Sequence, residues 1–154
     1  MEKQKEYVDL EDSNKLIAEF MGYEYTPYSK EAKSNGNFFG WRVKGFNDRY
    51  TPLGSSAAKI AFGYNIYLGR THEELSFHRD WNRLMPVVEK IEQPDYDYFV
   101  HILGNGAFIT TNNPELYRDG SSEIVGSTII KDSKIMSVYI VITEFIKWYN
   151  KTNK

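Results

Sequence analysis

The sequence predicts an α+β fold, a mainly antiparallel sheet of about four to six strands packed with about three helices at 13–21, 81–92 and 132–149. Three observations carry this expectation. Apolar residues recur at helical spacing in three separate stretches. Aromatic and β-branched residues broken by Gly, Pro and Asn fill the text between the first two, and two β-rich arms meet at Gly104-Asn105-Gly106.

The central helix is read from residues 78–92, where Trp81, Leu84, Met85, Val88 and Ile91 repeat at i, i+3, i+4, i+7 and i+10. This stripe is expected to be buried. Pro86 has no amide hydrogen, so either the helix starts at Asn82 or Arg83, or Asp80 caps a first turn that kinks there. Ser13 is the expected cap of the first helix, with Leu16, Ile17, Phe20 and Met21 as its apolar stripe and Gly22 as its stop. Residues 1–12 read as a loosely docked or disordered lead-in. In the last helix, capped by Asp132 or Ser133, the stripe is Ile135, Val138, Tyr139, Ile142, Phe145, Ile146 and Tyr149. A strand through Ser137–Thr143 is the rival, since Val, Ile and Tyr crowd there. The length of the stripe decides for helix.

Strands are expected near 23–28, 38–44, 64–68, 98–103, 107–111 and 124–130, with a turn at Asn35-Gly36 and a loop over 45–59. A chain of 154 residues fits a single domain, 1–154, able to bury a core unaided. It has no cysteine, which removes disulfides, thiol nucleophiles and thiolate metal sites. The N-terminal segment is charged throughout and no apolar run approaches membrane-spanning length, so a cytoplasmic protein without membrane contact is expected. Nineteen basic and 21 acidic residues, well mixed, give a net charge of −2 and no field for general nucleic-acid binding.

The histidines are His72, His78 and His101, and His78 forms an H-x-D pair with Asp80. Imidazole and carboxylate together can hold zinc or relay a proton, which makes His72, His78 and Asp80 weak metal candidates, but no H-E-x-x-H spacing supports them. Residues 54–59 resemble a phosphate loop only loosely, because Ala58 and Ile60 replace the residues that flank its lysine. No nucleophile elbow or dinucleotide fingerprint appears. Neither a catalytic residue nor a cofactor is expected, and a non-enzymatic protein is favoured.

The composition is 16% aromatic, with 12 Tyr and 9 Phe, and tyrosine beyond core needs suggests a contact surface. Trp41, Tyr64 and Tyr67, interleaved with Arg42, Lys44, Lys59 and Arg70, are the candidate partner- or ligand-binding residues. Their rings and cations suit a protein hot spot or a stacked nucleotide with its phosphate. Edge strands and surplus tyrosine also favour homo-oligomerisation.

Residues 14–22, 80–92 and 144–150 together resemble a recurring set of small phage and prophage proteins, notably of Bacteroidota, similar to the phage α-β-α sandwich domains. The resemblance covers the three helices and departs at Arg83 and at Met136-Ser137. It implies a helix-and-sheet scaffold of phage origin with no catalytic residues to carry over, and it leaves residues 23–77 as the place for specific function. The leading expectation is a binding protein that inhibits a bacterial host defence system by protein–protein contact in the host cytoplasm. A nucleotide-sequestering protein is the alternative, and a metal-assisted hydrolase using His72, His78, Asp80 and His101 is a further one.

Overall fold

The computed structural model describes residues 9–26, 40–43, 59–60, 67–68, 75–94, 97–117, 119–129 and 133–154. The chain divides into two compact units, Asn14–Ser76 and Met1–Ser13 with Phe77–Lys154. The architecture is α+β, with helices α1 (Leu10–Phe20), α2 (Trp81–Ile91) and α3 (Lys134–Thr152). Among the described residues no helix is long and apolar enough to cross a membrane.

α1 starts three residues earlier than its expected cap. The Asp9 carboxylate accepts from the amides of Glu11 and Asp12 at 3.0 and 3.1 Å, so Asp9 caps the helix and the lead-in ends sooner than residue 12. An aspartate cap also places negative charge at the positive end of the helix dipole, which a serine cannot do. Ser13 is instead a buried residue inside the helix, and Ser13, Asn14, Ile17 and Ala18 are the residues that α1 buries. Gly22, at φ 79°, stops the helix as expected.

In the unit Asn14–Ser76, β1 (Tyr23–Thr26) pairs antiparallel with β2 (Gly40–Val43), and β3 (Lys59–Ile60) with β4 (Tyr67–Leu68). These are two separate two-stranded sheets, and β3 falls where a loop was expected. The Asn35-Gly36 turn lies outside the described residues.

In the other unit, β5 (Tyr98–Leu103), β6 (Gly106–Thr111) and β7 (Glu123–Ile129) form an antiparallel sheet in the order β5-β6-β7. Among the described residues the largest sheet thus has three strands rather than four to six, because the described strands of residues 23–68 pair locally. The expected hairpin is present. Gly104 takes φ 59° and Asn105 keeps a negative φ, the pattern of a two-residue II′ turn, and the register runs from Leu103↔Gly106 to Tyr98↔Thr111. β6 and β7 shift register around Ile109, a bulge-like irregularity.

Alternation assigns the two faces of this hairpin. Tyr98, Ala107, Ile109 and Thr111 are buried on one side, whereas Phe99 and Leu103 are exposed on the other. α3 crosses the buried side over β6 and β7, and α2 packs against α3 and β5. The Ser133 hydroxyl caps α3 by accepting from the Met136 amide at 3.3 Å, and the helix buries Val138, Tyr139, Val141, Ile142, Phe145 and Ile146. The β-branched run therefore folds as helix, and the Thr143 hydroxyl donates to the Tyr139 carbonyl at 2.9 Å. Tyr98 meets Phe145 edge to face at 4.9 Å, which locks the start of β5 to the end of α3.

α2 follows the second of the two proline readings. Asp80 caps it, accepting from the Asn82 amide at 3.0 Å, and the helix runs on through Pro86. Pro86 and Asn82 are both exposed, so the carbonyl that loses its partner sits on the wet side. The buried stripe keeps three residues of the expected one, Leu84, Val88 and Ile91, and adds Val87, while Trp81 and Met85 are 36% and 37% exposed. The four buried residues obey i, i+3, i+4, i+7, so the stripe is rotated slightly from the one expected.

Candidate functional site

The side of the β5–β7 sheet turned away from its helices carries a row-by-row arrangement of large side chains. Leu103 and Ile129 flank Gly106 in register and are 68% and 74% exposed. The glycine adds no side chain between them and is itself buried. In the next row His101 stands opposite Phe108, and their rings stack at 4.6 Å and 11°. Phe99 then stands opposite Thr110, which stands opposite Glu123.

His101 Nε2 lies 2.9 Å from the Thr110 hydroxyl oxygen, diagonally across the strand pair. Ring stacking and this hydrogen bond fix the imidazole in one orientation. The result is a surface of aliphatic and aromatic groups around a held imidazole, with Thr110 and Glu123 at one end, and large apolar groups of this kind occur at the centre of protein contact sites. Beside it, Asp119, Ser121, Glu123, Ile124 and Gly126 line an open concavity of about 300 Å³.

The binding residues expected from the sequence lie in the other unit. Trp41 and Arg42 sit on β2 opposite Tyr25 and Glu24, and Tyr25 is exposed. Lys59 and Tyr67 sit on β3 and β4, opposite Leu68 and Ile60. The first pair and the second pair thus belong to different sheets. Lys44, Tyr64, Arg70 and His72 lie outside the described residues, as do the side chains of Trp41, Arg42, Lys59 and Tyr67.

His78 and Asp80 are engaged separately. Asp80 caps α2 and pairs with Arg83 at 3.2 Å. His78 packs edge-on against Tyr139, with ring centroids 5.8 Å apart and its Nδ1 buried without a hydrogen-bond partner. Burial, and then the Arg79 charge, lower its pKa from the ordinary 6.5. Tyr139 is itself buried, and its hydroxyl donates to the Leu10 carbonyl at 3.4 Å. Loss of solvent raises its pKa well above the usual phenol range. The Tyr139 hydroxyl thus ties the first residue of α1 to α3, and among the described residues no three His, Asp or Glu side chains converge.

Of the residues that form the sheet surface, the sequence points to His101 alone, as one of its histidines. The signal for them is the hairpin itself, since its turn fixes which residues share a face. Comparison with family models, curated proteins and solved structures finds no match.

Proposed function

We propose that this chain is a non-enzymatic binding protein that docks a protein partner on the outer face of its β5–β7 sheet. The observation that carries the reading is Leu103 and Ile129, both mostly exposed on either side of Gly106, in line with Phe99 at 39% exposure. Large aliphatic and aromatic groups grouped on one water-facing side are costly to hydrate, by about 25 cal/mol per Å² of apolar area, and a partner that covers them removes that cost. The resemblance of the three helices to phage and prophage proteins supports a more specific reading, an inhibitor of a host defence system working in the host cytoplasm.

The test is a phage-defence assay. Expression of the chain in a defended bacterium should restore infection, and the Leu103→Ser, Ile129→Ser double variant should lose that effect while its circular dichroism stays unchanged. Equal activity of the double variant would remove the sheet face from the mechanism. A rise in melting temperature with a nucleotide would support the sequestering alternative instead.

A further inference from the structure

Among the described residues β5 is an outer strand, paired with β6 alone. In a two-residue hairpin the closing pair, Leu103 and Gly106, exchanges hydrogen bonds, so the amides of Phe99, His101 and Leu103 face β6. Those of Tyr98, Val100 and Ile102 face away. Among the described residues, the group that meets this outward row is the Glu92 carboxylate, whose Oε1 accepts from the Val100 amide at 2.9 Å. Glu92 follows the last residue of α2, and its own amide already bonds to the Val88 carbonyl at 3.0 Å. The helix end is therefore satisfied through the backbone, and the side chain is spent on the strand.

We propose that Glu92 guards the β5 edge against pairing with the β5 of a second copy of this chain. The strand is its own complement. Antiparallel pairing centred on His101 sets Phe99 opposite Leu103 of the second copy and Val100 opposite Ile102, so every cross-strand pair beside the centre is apolar. The hydrogen-bond phase agrees as well, because Val100 and Ile102 both carry outward amides and would exchange bonds with each other. A carboxylate seated on one of those amides takes the position that the incoming carbonyl needs, and it adds a charge to an otherwise uncharged edge. This inference concerns the strand edge and stands apart from the partner reading of the sheet face.

Sedimentation or light scattering of Glu92→Ala and Glu92→Asp tests it. Aspartate keeps the charge but is one methylene too short to reach Val100, and both variants keep the backbone bond that ends α2. Relative to the wild-type chain, each variant should shift toward a dimer, doubling the molar mass from 18.0 kDa as concentration rises. Adding Leu103→Lys should return it to a monomer. Two variants that match the wild-type mass at every concentration would overturn the proposal, as would a dimer that Leu103→Lys leaves intact.

Discussion

At the scale of single residues, His78 shows how burial sets a pH dependence. Its Nδ1 is shut away from solvent beside Tyr139 without a partner, and burial with Arg79 nearby keeps its pKa below 6.5. In the window between the folded value and 6.5 the unfolded chain binds the proton and the native chain does not. The stability that neutral His78 contributes is therefore complete above the unfolded value and is lost as pH falls toward the folded one. Urea midpoints of the wild-type protein should drop as pH falls below the ordinary value of 6.5, and His78→Phe should flatten that part of the slope. An unchanged slope in the variant would assign the dependence to other groups. No sequence signal announced this role, because an H-x-D spelling looks the same whether the imidazole meets a metal or the edge of a tyrosine.

Among the elements, α2 separates what periodicity reveals from what it conceals. The helix and its cap at Asp80 were legible, since a carboxylate just before an apolar repeat satisfies an otherwise orphaned amide. Which apolar residues face inward was less so, because Trp81, Met85 and Val87 are all compatible with one broad stripe. Leu84→Ala should cost about 2–5 kcal/mol of unfolding free energy, as deletion of a fully buried leucine leaves a cavity. Met85→Ala, at a position 37% exposed, should cost less than about 1 kcal/mol. Comparable losses for the two in denaturant titrations would contradict the observed orientation. α1 teaches the same lesson about caps: Asp9 and Ser13 both suit the role, and the aspartate opens the helix a turn earlier.

For the molecule as a whole, the α+β class, all three helices and the β5–β6 hairpin were readable, because each rests on local chemistry that spans a few residues. The sheet surface was not. β5 reads Tyr-Phe-Val-His-Ile-Leu, bulky at every position, so alternation gives no hint of which side is dry until the helices are in place. Composition points instead to the aromatic and basic residues between 38 and 70, where register pairs Trp41 with Tyr25 and Tyr67 with Ile60 on separate sheets. Strand partners are set by contacts far apart in sequence, and a list of residue types does not contain them.

One contact deep in the structure bears on how the chain meets other molecules. The Ser137 hydroxyl of α3 donates to the Asn105 carbonyl, so the tip between β5 and β6 is tied to a helix that begins almost thirty residues later. A tip held in this way is preorganised, and a partner arriving at Leu103 has no loop motion to freeze before it can settle. Ser137→Ala should lower stability by about 0.5–1.5 kcal/mol in thermal or urea unfolding, through the lost hydrogen bond to the Asn105 carbonyl. It should also quicken dissociation of whatever binds beside that turn, although Ser137 itself is wholly buried and touches no visitor.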